Sequence, residues 1–187
     1  MDVILASSSK RRIEFMNELG FPFRVVPSNV AEFVESYKSN EDLVMQLAKI
    51  KALSVFSLNP SSLVLGFDTL VFLDGVPLGK PQNEEECIKM IASLSGKCHT
   101  VVTGAYFVSH DYTDNFSSSC KVYMSEIPKE AIIEYSKTEE PYDKAGGYAV
   151  QGFIGRFIER VEGDVFSVIG FPKQLVYKKL SLYMKKH

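Results

Sequence analysis

The chain opens with VILASSSKRRIEFMNELG, residues 3–20, and this stretch narrows the folds open to everything after it. Val3-Ile4-Leu5-Ala6 reads as a buried strand. Three serines follow, of which Ser7 or Ser8 can cap a helix whose apolar positions Ile13, Phe15, Met16 and Leu19 face inward and which closes at Gly20. Strand, polar turn and helix in succession point to an α/β domain. The same stretch sets Lys10-Arg11-Arg12 in the first helical turn. Cations there are unfavourable by a few tenths to about 1 kcal/mol each unless an anion sits beside them.

The later pattern agrees with an α/β domain of mixed strands flanked by helices. Residues 21–26 read as a second strand. Residues 41–58 place Leu43, Val44, Leu47, Ile50, Leu53 and Val55 at helical spacing, with Asn40 as cap and Asn59-Pro60 as stop. Two apolar runs, 63–65 and 70–73, flank Gly66-Phe67-Asp68-Thr69, and Asp74-Gly75 is a turn signal. A helix is expected from 83 to 94, opened by Glu84-Glu85-Glu86, whose charges suit the positive end of its dipole. Residues 98–108 and 116–124 would form a long hairpin, 129–137 a helix, 139–155 a glycine-rich loop and 157–161 a strand. Pro172 opens a terminal helix. The β-rich middle is the one break in character, and it suits a second lobe of one domain spanning residues 1–187.

Composition excludes several classes. With 187 residues, 45% hydrophobic and 24% charged, the chain is neither disordered nor fibrous. A net charge of −2 argues against a protein that coats nucleic acid, so any anion site is local. Three cysteines, Cys87, Cys98 and Cys120, form no CxxC pair, which reads as neither disulfide framework nor zinc site and fits a reducing cytoplasm. Neither a signal peptide nor the roughly 20-residue apolar run of a membrane span is expected. GVPLGKP, residues 75–81, has the wrong spacing for a phosphate loop and Pro81 where Ser or Thr is required.

What remains is a set of polar residues at element ends. Ser7 to Ser9 with Arg11 and Arg12 make either an anion site at a helix N-terminus or a solvated patch. Asp68 either emerges at the edge of a central sheet, where a carboxylate can hold Mg²⁺ and deprotonate a water, or is a turn aspartate accepting backbone N–H groups. Glu32 reads as a surface glutamate and Lys51 as a solvated lysine on an amphipathic helix. Lys80, held extended by Pro81 and next to Gly79, is more pointed. Gln151 either reads a base edge or satisfies local backbone. Asp143 and Lys144 complete the set.

Taken together, LASSSKRR, LAKIKA, GFDTLV, LGKP, LSGKCHTVVTG, EPYDKAGGYAVQG and EGDVFSVIGFP resemble, in order and over nearly the whole chain, the Maf family of nucleoside triphosphate pyrophosphatases. The resemblance implies an elongated α/β fold with a cleft between two lobes, similar to the inosine triphosphatase group. It also implies hydrolysis of a nucleotide to monophosphate and pyrophosphate with Mg²⁺, Mn²⁺ or another divalent cation, in a cytoplasmic homodimer. By that resemblance Asp68 is metal holder and base for the attacking water, Glu32 the acidic metal partner, and Ser7, Arg11, Arg12, Lys51 and Lys80 phosphate binders. Arg11, Thr69 and Gln151 match the positions that set substrate choice, in a combination like the branch preferring dTTP and UTP. Lys10, Phe67 and Asp164-Val165-Phe166 depart from the family pattern, and bulky Phe67 is positioned to narrow or tilt the pocket beside Asp68. The competing functions are a nucleotide-binding regulator without turnover and a phosphatase releasing orthophosphate from the chain end.

Overall fold

A computed structural model describes residues 2–186. A mixed seven-stranded sheet forms its backbone, with strands β1 (Val3–Leu5), β2 (Arg24–Val25), β3 (Leu63–Leu73), β4 (Val76–Leu78), β5 (Cys98–Val108), β6 (Thr113–Met124) and β7 (Ile158–Gly163). The order is β2-β1-β3-β5-β6-β7, with β4 on β3. β1 pairs parallel with both β2 and β3, whereas β3 with β4 and β6 with β7 are antiparallel. The expected hairpin is present: β5 and β6 are neighbours, and Ser109 N–H closes their turn on Tyr112 O at 2.8 Å. The helices are α1 (Lys10–Glu18), α2 (Asn40–Phe56), α3 (Glu84–Leu94), α4 (Lys129–Ser136), α5 (Val165–Val168) and α6 (Lys173–Met184).

Several details differ from expectation. The two apolar runs around Asp68 join into one eleven-residue strand, so Asp68 lies inside β3 rather than in a turn. Only Arg24–Val25 of residues 21–26 pair as strand. Ser39, not Asn40, caps α2, its Oγ accepting Asp42 N–H at 3.2 Å. At α1 the cap position is Ser9, whose N–H donates to Ser7 Oγ at 3.2 Å. Asn83 does cap α3, accepting Glu86 N–H at 2.9 Å. The glycine-rich loop winds into 3-10 turns at Glu140–Asp143, Ala145–Gly147 and Ile154–Phe157.

The chain divides into two compact units. The first comprises Met1–Asp68, Thr103–Ser118 and Gly170–His187; the second comprises Thr69–Val102 and Ser119–Ile169. In the first, Val3, Leu5, Met16, Phe67, Phe107, Phe171 and Leu180 fill one core, and Ile4, Ala48, Ala52, Val55 and Val64 fill another. The second unit has its own core around Ile91, Leu94, Val101, Val122, Tyr135 and Tyr148. No helix among the described residues is long and apolar enough to cross a membrane.

Candidate active site

The centre of the first unit's polar chemistry is where α2 crosses β3. Successive strand residues alternate faces, so Gly66 and Asp68 share one face and Phe67 takes the other. Gly66 lets the helix lie directly on the strand: a Cβ there would stand 2.3 Å from Ala48 O and 2.8 Å from Ala52 Cβ. Gly104 does the same on β5, where a Cβ would lie 2.5 Å from Val44 C. Lys51, between those two alanines on α2, is thereby brought onto Asp68 and makes a short ion pair with it. The same ammonium is 2.9 Å from Glu32, so one cation touches both carboxylates. The side chains of Lys51 and Asp68 are 14% and 9% exposed, which rules out the solvated lysine.

Arg12 approaches from α1. Its Nε donates to Gly170 O at 2.9 Å, and its Nη1 donates to Phe67 O at 3.0 Å and Ser7 Oγ at 3.4 Å. These bonds tie α1, β3 and the start of the C-terminal segment together and hold the guanidinium in one orientation. Burial pulls the Arg12 pKa down to about 10, with Asp68 opposing that shift, so it remains a cation at neutral pH. Arg11 differs from its neighbour: it is half-buried and makes no hydrogen bond or ion pair among the described residues.

Burial pushes the Asp68 carboxyl above the ordinary carboxylate range, while Lys51 and then Arg12 pull it back and Glu32 adds to the rise. A carboxylate so placed is a proton acceptor with an elevated affinity for its proton. Asp68 and Glu32 also suit a hard divalent cation, which binds through one or two carboxylates and completes its shell with phosphate oxygens and water. The Lys51 ammonium bridging them shows that both carboxylates reach a single positive centre. No group of three or more metal-ligating acids, histidines or cysteines stands together among the described residues.

Phe67 does not narrow the space beside Asp68. It is wholly buried on the opposite face, with its ring 5.1 Å from Phe171, 6.1 Å from Phe107 and 5.8 Å from the Arg12 guanidinium carbon. Its influence on the site therefore passes through Arg12.

Thr69, Lys80 and Gln151 belong to the second unit. Lys80 is exposed just after β4, its ammonium without a partner among the described residues. Gln151 is exposed in a tight turn closed by Gly152 N–H on Ala149 O at 3.0 Å. Lys144 binds Asp143 at 2.5 Å and Glu140 O at 2.7 Å, so that cation is taken up internally. Sequence reasoning passed over Gly66, Gly104 and the Gly170 carbonyl. An isolated glycine inside an apolar strand run signals close backbone approach, and Gly66 carried that signal. A backbone carbonyl acceptor carries none.

Comparison with known proteins follows the same lines. The chain is 44% identical over 177 residues to a dTTP/UTP pyrophosphatase of Caldicellulosiruptor bescii, covering 91% of this chain and 88% of that protein. A protein of the same name from Thermotoga maritima is 44% identical over 182 residues, with 96% and 88% covered, and one from Bacillus cereus is 40% identical over 181 residues, with 97% and 89% covered. Among solved structures, a HAM1 protein from Coxiella burnetii superposes over the whole of both chains with a TM-score of 0.60 at 13% identity. The Staphylococcus aureus Ham1 protein gives 0.51 at 15% identity, over 84% of this chain and 80% of that one. These two carry the fold alone. The family profile described as Maf-like protein spans residues 2–183, and with relatives at this identity over nearly their full length, the chain belongs to the Maf-like protein family.

Proposed function

We propose that this protein is a nucleoside triphosphate pyrophosphatase acting on dTTP and UTP, which it cleaves to the nucleoside monophosphate and pyrophosphate. The relatives' activity supports the reaction, and one observation carries the chemistry: a buried carboxylate of raised proton affinity, Asp68, set against Lys51, Glu32 and Arg12.

In this reading Asp68 accepts the proton of a water that attacks the α-phosphorus, and pyrophosphate departs. Asp68 and Glu32 would hold a divalent cation, Mg²⁺ or Mn²⁺, which supplies positive charge at the phosphate oxygens when bound. Lys51 keeps Asp68 ionised and fixes its orientation. Ser7, Arg11, Arg12 and Lys80 bind phosphate oxygens, whereas Lys51, which the resemblance also makes a phosphate binder, is engaged by Asp68 and Glu32. Arg12 is preorganised by Gly170 O, Phe67 O and Ser7 Oγ, so it stabilises developing charge without reorganising at the moment of reaction. Stabilisation that grows from ground state to transition state is what raises turnover. To Thr69 and Gln151 we assign the base, with Arg11 contributing to substrate choice.

The three cysteines are free, which suits a reducing cytoplasm. A small nucleotide is the expected partner, without nucleic acid or membrane, and the expected homodimer is checked by a solution mass measurement.

Incubation with dTTP, UTP and Mg²⁺, followed by chromatography, tests the reading. Monophosphate plus pyrophosphate is expected. Diphosphate plus orthophosphate would make the protein a terminal phosphatase, and intact nucleotide across a broad panel would make it a binding protein.

A further inference from the structure

The turn that carries Gln151 is held from beneath by a side chain to which nothing so far assigns a role. Glu140 stands in the 3-10 turn Glu140–Asp143, and its Oε2 accepts Phe153 N–H at 3.3 Å. Its Oε1 is buried and accepts no well-formed hydrogen bond among the described residues, although the carboxylate stands close enough to the Tyr135 hydroxyl, which donates to Gly147 O, to help hold that phenol protonated. That oxygen lies so close under the turn that a Cβ at Gly152 would stand 1.6 Å from it. Gly155 is equally confined, since its Cβ would meet Val150 O at 2.0 Å. The turn therefore closes around the carboxylate. Gly152 N–H binds Ala149 O at 3.0 Å and Gly155 N–H binds Gly152 O at 3.1 Å.

Both flanks are pinned as well. Before the turn, Tyr135 hydroxyl donates to Gly147 O at 2.9 Å and Tyr148 hydroxyl meets His99 Nε2 at 2.6 Å. After it, the Phe153 ring stacks on Tyr135 with centroids 5.8 Å apart, and the Arg156 guanidinium carbon lies 4.0 Å from the Phe153 ring centre. Gln151 is the exposed residue in the middle of this clamp. A flexible glycine-containing turn would let a glutamine amide sample many orientations, and each free rotor must be ordered on binding. A carboxylate with one oxygen unsatisfied is a costly way merely to fill space, because an apolar side chain packs there without desolvation.

We propose that Glu140 is a positioning residue for base selection: its carboxylate locks residues 149–155 in the shape that presents the Gln151 amide. The proposal rests on the assignment of the base to Gln151.

The test compares kcat and KM for dTTP, UTP and GTP in Gln151→Ala, Glu140→Ala, their double variant, Glu140→Gln and Gly152→Ala. Gln151→Ala and Glu140→Ala are each expected to lower the kcat/KM ratio of dTTP to GTP about tenfold, the worth of one directed hydrogen bond. The double variant should lose no more than either alone, because both remove the same oriented amide. Glu140→Gln, which keeps the acceptor for Phe153 N–H, should recover most of the ratio. Gly152→Ala crowds the same carboxylate and should lower the ratio too, with less effect where Glu140 is already alanine. Equal losses on every nucleotide in Glu140→Ala, or losses that multiply with those of Gln151→Ala, would overturn the proposal. If Glu140→Ala lacks a cooperative unfolding transition, Gly152→Ala decides, and an unchanged ratio there overturns it. An unchanged ratio in Gln151→Ala would instead remove the base assignment, and this inference with it. An unchanged ratio in Glu140→Ala beside a reduced one in Gln151→Ala removes the inference alone.

Discussion

Each compact unit buries a polar group against ring or helix, and the two do so by opposite means. In the first, Asp68 lies under α2 with Lys51, Glu32 and Arg12 around it, charges facing charges. In the second, His99 is 2% exposed and joined to Tyr148, and both are neutral at pH 7: burial holds His99 down to about 4 and drives the Tyr148 phenol up. A neutral hydrogen-bonded pair avoids the desolvation of an ion and serves the packing around it. A buried carboxylate is tolerated only through its cations, and its raised proton affinity is of use to a reaction rather than to the fold. Under the proposed function, the contrast separates the residues assigned to the chemistry from those that hold the frame.

The sharpest way to break this contrast is Asp68→Asn. Turnover should fall by about 10²-fold or more, since proton acceptor and metal-binding oxygen go together. Thermal stability should hold or rise, because the amide escapes the burial penalty on the charge. A variant that loses stability but retains turnover would place Asp68 in the frame instead. Gly66→Ala comes next: its methyl would have to displace Ala48 O, 2.3 Å away, at a cost of about 1–3 kcal/mol in denaturant unfolding, with turnover falling as Lys51 leaves Asp68. Wild-type stability there would mean that the helix does not rest on the strand.

The histidine gives a pH signature. Its folded pKa, about 4, is below its ordinary 6.5, so the unfolded chain takes up a proton that the native chain refuses between those values. Stability is fully present above 6.5 and is lost as pH falls toward 4, by an expected 1–2 kcal/mol, roughly, at pH 5. His99→Phe should flatten that slope in denaturant titrations. An unaltered slope would show that His99 is charged or exposed in the native state. The smallest effect separates the two arginines. Arg11→Ala should raise KM severalfold at unchanged melting temperature, whereas Arg12→Ala should lower both activity and melting temperature, since only Arg12 binds Gly170 O and Phe67 O.

Those arginines also show what a sequence exposes and what it hides. The strand, serine turn and helix at residues 3–18, the helical periodicity of α2 and the β5–β6 hairpin are local patterns, and each was legible because the apolar spacing alone determines it. Gly66 and Asp68 are both poor strand formers and so signal a break between strands, but burial on both faces keeps β3 continuous. Lys51 looked solvated because its true neighbour is 17 positions away on another element. Arg11 and Arg12 looked alike as adjacent cations, and only the fold, through the carbonyl of a residue 158 positions distant, tells them apart. Glu140 opens the stretch EPYDKAGGYAVQG, but its role there is hidden, since its partner is a backbone N–H.

The central claim is that water, relieved of its proton by Asp68, attacks the α-phosphorus. Turnover of dTTP in ¹⁸O-labelled water, read by mass spectrometry, tests it most directly. The account predicts label in the thymidine monophosphate and none in the pyrophosphate, with release of both products falling together by about 10²-fold or more in Asp68→Asn. Label in the pyrophosphate, or in orthophosphate released beside a diphosphate, would contradict it.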